Sequence, residues 1–305
     1  MTEMTFVQRK IEEFSPKCER KYNEPMSNHT SFRIGGNAEV FAMPKNRQEL
    51  TEMLWIAAVL GEKPAILGAG TNVLAPDDGI AGIVICLKDC LDGMERMDEN
   101  HIRVMAGVTM TRAAVFAANQ GLGGMEFAHG IPGTIGGGVY MNAGAYGGEM
   151  KDIVETVEVM DPMGNIHFLS RGEMAFSYRH SRLEESGEIV ISAILRLQPA
   201  DPEEVKLQMR QLQAKRSASQ PLDMPSAGSA FKRPAQGYAA ALIDEAGLKG
   251  YQVGGAAIST KHAGFAVNMG GATAKDVTEL LRQVSDIVFD KTGIRLEPEV
   301  RLWRS

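Results

Sequence analysis

Eleven of the 28 residues from Gly121 to Gly148 are glycine, a third of the 33 glycines in a chain of 305 residues. Ordered glycine loses more conformational freedom than any other residue, so a run this dense implies main chain that must pass close to something. A flexible linker is the other explanation, but linkers are polar, and this stretch interleaves Ile131, Pro132, Ile135, Val139, Tyr140 and Met141. The segment Gly130-Ile131-Pro132-Gly133-Thr134-Ile135-Gly136-Gly137-Gly138, followed by Asn142-Ala143-Gly144-Ala145-Tyr146-Gly147, is therefore expected to be extended backbone that a pyrophosphate can lie along. Thr134, Asn142 and main-chain N–H groups are its donors.

A second glycine turn, Gly68-Ala69-Gly70-Thr71-Asn72, follows the short apolar run Ala65-Ile66-Leu67. A strand feeding such a turn can aim successive N–H groups at an anion. Pro76 and Asp77-Asp78-Gly79 leave no room for the helix that a Rossmann dinucleotide site requires, and no Gly-Lys-Ser/Thr ends it as in a Walker loop. Phosphate nest and plain glycine turn both remain open from these residues alone.

Composition narrows the class. A net charge of −6 argues against a general nucleic-acid binder, and 44% hydrophobic residues supply a core. No apolar run approaches the roughly 18 residues of a membrane span. The N-terminus lacks the basic and apolar regions of a secretory signal, and Cys18, Cys86 and Cys90 are too few and too poorly spaced for a disulfide framework or zinc site; Cys86, in an apolar run, is read as a buried free thiol. The expectation is a cytoplasmic enzyme. Its six histidines form no HExxH and no helical i, i+4 pair, so no catalytic metal is expected. The 18 methionines read as core.

Periodicity predicts helices over Thr5–Phe14, from the Asn46/Glu49 capping box to Gly61, over Thr111–Asn119, near Tyr238–Ala246, and from Thr273 to Gly293. Strands are predicted at Ala65–Leu67, Ile83–Leu87, Ile102–Met105, Ile153–Met160, Ile166–Leu169, Ile189–Leu197, Val253–Ser259 and Phe265–Asn268. Pro199-Ala200-Asp201-Pro202 marks a break before a helix carrying Val205, Met209 and Leu212, which places a domain boundary near residue 200. The fold class is α+β.

Three polar residues stand out by context: Arg179 in Ser177-Tyr178-Arg179-His180-Ser181-Arg182, Ser229 in Ala227-Gly228-Ser229-Ala230-Phe231, and Glu299 in Glu297-Pro298-Glu299-Val300. Ser229 lacks the Gly-x-Ser-x-Gly frame of a hydrolase nucleophile. Each alone is compatible with a structural role, and their spacing in sequence says nothing about proximity.

Together these segments, with Asn28-His29-Thr30-Ser31-Phe32-Arg33-Ile34-Gly35-Gly36, resemble the UDP-N-acetylenolpyruvoylglucosamine reductase family, which makes UDP-N-acetylmuramate in peptidoglycan synthesis. The likeness runs from Asn28 almost to the C-terminus and looks like the shorter form, without the insertion that carries a tyrosine loop. It implies a two-subdomain FAD-binding fold of the vanillyl-alcohol-oxidase (PCMH) type over residues 33–200, preceded by an N-terminal segment, residues 1–32. A smaller α/β substrate-binding domain over 201–290 and a C-terminal strand over 291–305 returning to the site would follow. FAD, held without a covalent link, would meet Arg33, Gly68, Ala69, Gly70, Thr71, Asn72, Gly130, Ile131, Pro132, Gly133, Thr134, Gly137, Asn142, Ala143 and Gly144.

The implied reaction reduces an enolpyruvyl ether on UDP-N-acetylglucosamine, with hydride passing from NADPH through FAD to the terminal vinyl carbon. Arg179 would stabilise the enolate, Glu299 would assist at its carboxylate as a protonated acid, and Ser229 would protonate the enolate carbon. Of the cations Arg210, Lys215, Arg216, Lys232, Arg233 and Lys261, position favours Arg216 and Lys232 for the diphosphate. Lys261 and Tyr178 complete the implied substrate contacts. No nucleic-acid or membrane partner is expected; oligomeric state stays open, a monomer included. The rivals are an FAD-dependent alcohol oxidase of the same fold and a non-catalytic nucleotide-sugar-binding protein. Absorbance of the purified protein separates the last: the expected result is a yellow protein with a flavin band, whereas a colourless one supports the sensor.

Overall fold

In the computed structural model, which describes residues 3–304, the chain forms two compact units, and neither is continuous in sequence. The first comprises Met1–Tyr22, Glu39–Ala69 and Gly82–Lys215; the second comprises Asn23–Ala38, Gly70–Ala81 and Arg216–Ser305. The expected cut near residue 200 is displaced for a physical reason. The helix Pro202–Ser219 buries Val205 and Met209 in the core of the first unit, so compactness assigns it there as far as Lys215. Asp201 caps that helix, its Oδ1 accepting from the Glu203 and Glu204 N–H groups at 2.8 and 3.1 Å.

Two sheets organise the first unit. The smaller, lying mostly within it, orders its strands Glu19–Pro25, Asn37–Met43, Ile80–Cys86, Ala65–Leu67, the last two parallel. The larger is antiparallel and runs Ile166–Ser170, Val154–Met160, Ile189–Arg196, His101–Met105, Met94–Arg96. Strands Glu19–Pro25 and Asn37–Met43 escaped the sequence reading, because the first alternates charged and polar residues instead of apolar ones. The helix Arg47–Leu60 begins as expected, with Asn46 accepting from Glu49 N at 2.9 Å, and ends on left-handed Gly61. Cys18, Cys86 and Cys90 are free and buried, and burial raises the first and last thiols to about 11 and about 12.

The glycine-dense segment departs from expectation. Ile135–Tyr140 is a short helix, not extended chain, with Thr134 at its N-cap. Glycine is a poor helix former, and tertiary packing overrides that here. A Cβ on Gly136 would lie 3.1 Å from that of Ala106, and one on Gly138 would lie 2.7 Å from Met110 Sδ. The helix comes this close because those positions carry no side chain.

The second unit is built on an antiparallel sheet ordered Ser226–Ser229, Phe265–Asn268, Ala256–Ile258, Gln252–Val253. The predicted single strand Val253–Ser259 is thus a hairpin interrupted at Gly254-Gly255. Helices Ala239–Glu245 and Ala274–Thr292 bury Ile243, Val277, Leu280, Leu281, Val284 and Val288 in its core. The long helix begins with a capping box of Thr273 and Asp276 and ends on left-handed Gly293. Asp77 adds a second clasp, accepting from Ala274 N at 2.7 Å and Lys275 N at 3.0 Å. Among the described residues no helix is long and apolar enough to cross a membrane.

Within the larger sheet, Glu158 is only 4% exposed and holds three partners: Arg47 at 2.6 Å, Arg103 at 3.0 Å and the Ser192 hydroxyl at 2.7 Å. Burial pushes its pKa up, but the Ser192 hydrogen bond and the two guanidinium groups outweigh burial and leave it lowered. A lowered folded-state pKa stabilises above the unfolded value and loses that stability as pH falls through the folded one. Glu158→Gln is therefore expected to cost about 1–3 kcal/mol near neutrality. Its acid-unfolding limb should be flatter below the ordinary carboxyl pKa of 4.5, as read from thermal melts at pH 3 to 7.

Candidate active site

The candidate residues divide between the two units. Gly68, Ala69, the Gly130–Gly144 segment, Tyr178 and Arg179 belong to the first; Arg33, Gly70, Thr71, Asn72, Arg216, Ser229, Lys232, Lys261 and Glu299 belong to the second.

In the first unit, strand Ala65–Leu67 delivers Gly68 against Thr134. A Cβ at Gly68 would stand 2.8 Å from Thr134 Oγ1, so the turn and the glycine-dense segment meet there. Thr134 is 2% exposed, and its hydroxyl accepts from Gly137 N at 3.4 Å. Before it, Gly130 N donates to Thr111 Oγ1 at 3.2 Å, and Ile131 packs on the core. Ile135 N and Gly136 N donate to Val108 and Ala106 carbonyls at 2.8 and 2.9 Å, and Met110 N donates to Gly133 O at 3.0 Å. Gly130–Gly138 is thereby stitched to the adjacent chain. After the helix, Ala143 N donates to Gly138 O and Ala143 O accepts from Met150 N.

Beyond Asn142, Gly144-Ala145 pairs with Gly148-Glu149 around Tyr146 and Gly147, both at positive φ. The hairpin was not foreseen, because its turn residues Tyr146-Gly147 are not the Asn-Gly or Asp-Gly pair that signals a two-residue hairpin loop. It matters because Glu149 lies opposite Gly144 and takes a hydrogen bond from Asn142 Nδ2 at 2.6 Å. No local pattern announces that contact.

Arg179 sits in a tight turn closed by a Ser177–His180 bridge. Its φ is +56°, a left-handed conformation that costs a non-glycine residue about 1–3 kcal/mol and tends to mark functional positions. The guanidinium lies 4.8 Å from the Tyr178 ring centroid, and Nη2 donates to Gly144 O at 3.1 Å.

In the second unit, the other half of the glycine turn is just as tightly held. Gly70 has φ +64°, and a Cβ there would fall 1.9 Å from the His29 carbonyl oxygen, while Ser31 N donates to Gly70 O at 3.0 Å. No side chain fits. Asn72 then grips the C-terminal strand, its Nδ2 donating to Glu299 O at 3.3 Å and its carbonyl accepting from Arg301 N at 2.9 Å. Glu299 N in turn donates to Ala230 O at 2.9 Å, which sets Glu299 beside Ser229. Seventy positions apart in sequence, these two are neighbours in space. Ser229 is exposed, and its hydroxyl has no hydrogen-bond partner among the described residues.

Of the cations, Arg216 is 7% exposed, and Lys261 reaches the adjoining main chain, Nζ donating to Ser217 O at 2.8 Å. Lys232 pairs with Glu297 at 3.5 Å. Arg33 is exposed at φ +55°. Next to Lys261, burial holds the His262 imidazole below its ordinary pKa, and Nδ1 accepts from Gly264 N at 3.1 Å, a neutral turn-forming histidine. Among the described residues no three His, Cys, Asp or Glu side chains cluster as a metal would need.

Comparison with known proteins agrees with this geometry. Residues 38–170 match an FAD binding domain model, and residues 220–303 match the C-terminal domain of UDP-N-acetylenolpyruvoylglucosamine reductase. A UDP-N-acetylenolpyruvoylglucosamine reductase of Caldanaerobacter subterraneus is 46% identical over 96% of each chain, and one of Clostridioides difficile is 43% identical over 92% of each. The crystal structure of the Thermus caldophilus reductase is 35% identical, has a TM-score of 0.77, and covers 94% of this chain and 99% of its own. A solved alkyldihydroxyacetonephosphate synthase, 14% identical with a TM-score of 0.50 over 65% of this chain and 42% of its own, shares the fold alone.

The bare backbone at Gly68, where any Cβ would push Thr134 away, is compatible with the FAD binding domain match over residues 38–170. Gly68→Ala is expected to lower the flavin retained on purification at least tenfold, read from the ratio of visible to ultraviolet absorbance, with the melting temperature of the flavin-free protein little changed.

Proposed function

The chain belongs to the UDP-N-acetylenolpyruvoylglucosamine reductase family, and on that premise we propose that Arg179, Ser229 and Glu299 carry the chemistry. The protein is an FAD-dependent oxidoreductase that reduces UDP-N-acetylenolpyruvoylglucosamine in peptidoglycan precursor synthesis. FAD, held non-covalently by Arg33, the Gly68–Asn72 turn and the glycine-dense segment, would supply hydride-transfer chemistry, with NADPH as co-substrate.

The remaining work falls to side chains. Hydride addition at the terminal carbon leaves negative charge on the neighbouring carbon, spread into a carboxylate that is already anionic. Donors fixed in advance toward such charge lower the barrier most effectively. Arg179 is a permanent cation whose planar fork suits a carboxylate, and Glu299, protonated, donates a second hydrogen bond to it. Ser229 gives its proton to the enolate carbon. An alcohol is a weak acid, but an enolate carbon is a strong base, so no histidine need adjoin it.

One observation carries the reading: the Glu299 N–H bond to Ala230 O brings the main chain at Glu299 alongside that of Ser229, whose side chain is exposed. A proton donor fits this arrangement. An alcohol oxidase would need a base to take a proton where this reading has a serine that gives one. Arg216, Lys232 and Lys261 hold the UDP diphosphate, with Tyr178 lining the substrate. An enzyme that draws on NADPH and a nucleotide sugar is best read as cytoplasmic.

Ser229→Ala provides the test. NADPH should still bleach the flavin at near the wild-type rate, while reoxidation by the enolpyruvyl substrate should slow by about 10²–10⁴-fold, the usual worth of a general acid. Stopped-flow absorbance separates the two half-reactions, and equal loss in both would assign the serine to folding or flavin binding.

A further inference from the structure

Asn142 is completely buried and stands at φ +42°, which asparagine tolerates better than most residues. Its Nδ2 donates to the Ser177 carbonyl at 2.8 Å and to Glu149 Oε2 at 2.6 Å, and its Oδ1 accepts from Lys151 N at 2.9 Å. A side-chain amide has two N–H donors, so both are committed inside the first unit. The group that Asn142 holds is informative. Ser177 is the first residue of the turn that bears Arg179, and that turn closes through Ser177 N to His180 O at 3.1 Å and the reverse bond at 3.3 Å. At the other end of the same side chain, Arg179 Nη2 donates to Gly144 O at 3.1 Å, two residues after Asn142.

The turn and the guanidinium are thus tied to one short segment, Asn142–Gly144. Glu149, which lies opposite Gly144 in the hairpin, orients the Asn142 amide from behind. The left-handed backbone at Arg179 is a conformation that neighbouring contacts must maintain. We propose that Asn142 is a positioning residue: through the Ser177 carbonyl it holds Arg179 in the left-handed turn that aims its guanidinium, and it is not a donor to the flavin. The inference rests on the reading of Arg179 as the cation that stabilises the enolate. A fork misplaced by about 1 Å loses about 10²-fold in rate, so the amide matters to catalysis without touching a reacting atom.

The test uses the FAD-loaded full chain as four variants: Asn142→Ala, Asn142→Asp, Arg179→Ala, and the double variant Asn142→Ala with Arg179→Ala. Asn142→Asp keeps the acceptor for Lys151 N and the tolerance for left-handed backbone, but replaces the Nδ2 donor by an oxygen that repels both former partners. Either Asn142 variant should retain flavin and reduction by NADPH within about twofold. Reoxidation by the enolpyruvyl substrate should slow about 10- to 100-fold. Without substrate, hydrogen exchange measured by mass spectrometry should quicken in the peptide spanning residues 175–183 and stay unchanged in the strand Val154–Met160.

Because both residues act through one guanidinium, the double variant should be no slower than Arg179→Ala alone. Fully additive losses would overturn the proposal, as would unchanged exchange in that peptide, equal decline of both half-reactions, or failure of both Asn142 variants to hold flavin. If Arg179→Ala reoxidises at the wild-type rate, the reading of Arg179 itself fails. That outcome is distinct from an additive cycle on an impaired Arg179 variant, which sinks the positioning inference alone.

Discussion

The helix Ile135–Tyr140 lies against Ala106 and Met110 because three of its six residues have no side chain. Much of the arrangement of the first unit's candidate residues follows from that approach. The helix N-cap is Thr134, which meets Gly68; its C-terminal end leads within two residues to Asn142, which holds the turn bearing Arg179. A larger residue at Gly136 or Gly138 would lift the helix and move both ends together. Glycine density here is a packing requirement as much as a ligand requirement. The same few residues satisfy both.

That double use explains which features could be read from the sequence. Apolar periodicity and capping residues located the helices Arg47–Leu60 and Ala274–Thr292 because their signals are local. Context singled out Arg179, Ser229 and Glu299, and the likeness to the reductase family suggested roles that context alone left open. Local pattern also suggested that the glycine segment would be extended, since six residues containing three glycines make an unpromising helix. What reversed that was Ala106 and Met110, some thirty positions away. The Asn142–Glu149–Ser177 contacts were out of reach for the same reason. The partners of this buried amide are set by tertiary packing and not by its neighbours in sequence.

Domain limits failed to show for a related reason. A break at Pro199–Pro202 looks like a boundary, yet Val205 and Met209 beyond it are core residues of the first unit. The second unit takes in Asn23–Ala38 and Gly70–Ala81 from far upstream. Those excursions bring Asn72 to Glu299 and Asp77 to the N-terminus of the long helix. A unit assembled from three stretches cannot be found by looking for one composition change.

The three thiols have a practical consequence. With Cys18, Cys86 and Cys90 all buried and their pKa values raised, the native protein at neutral pH presents almost no thiolate, the form that attacks electrophiles. Maleimides and mild oxidants should therefore pass over the folded enzyme. A single cysteine introduced on an exposed loop would then accept a fluorophore selectively, without first stripping the native three from the core.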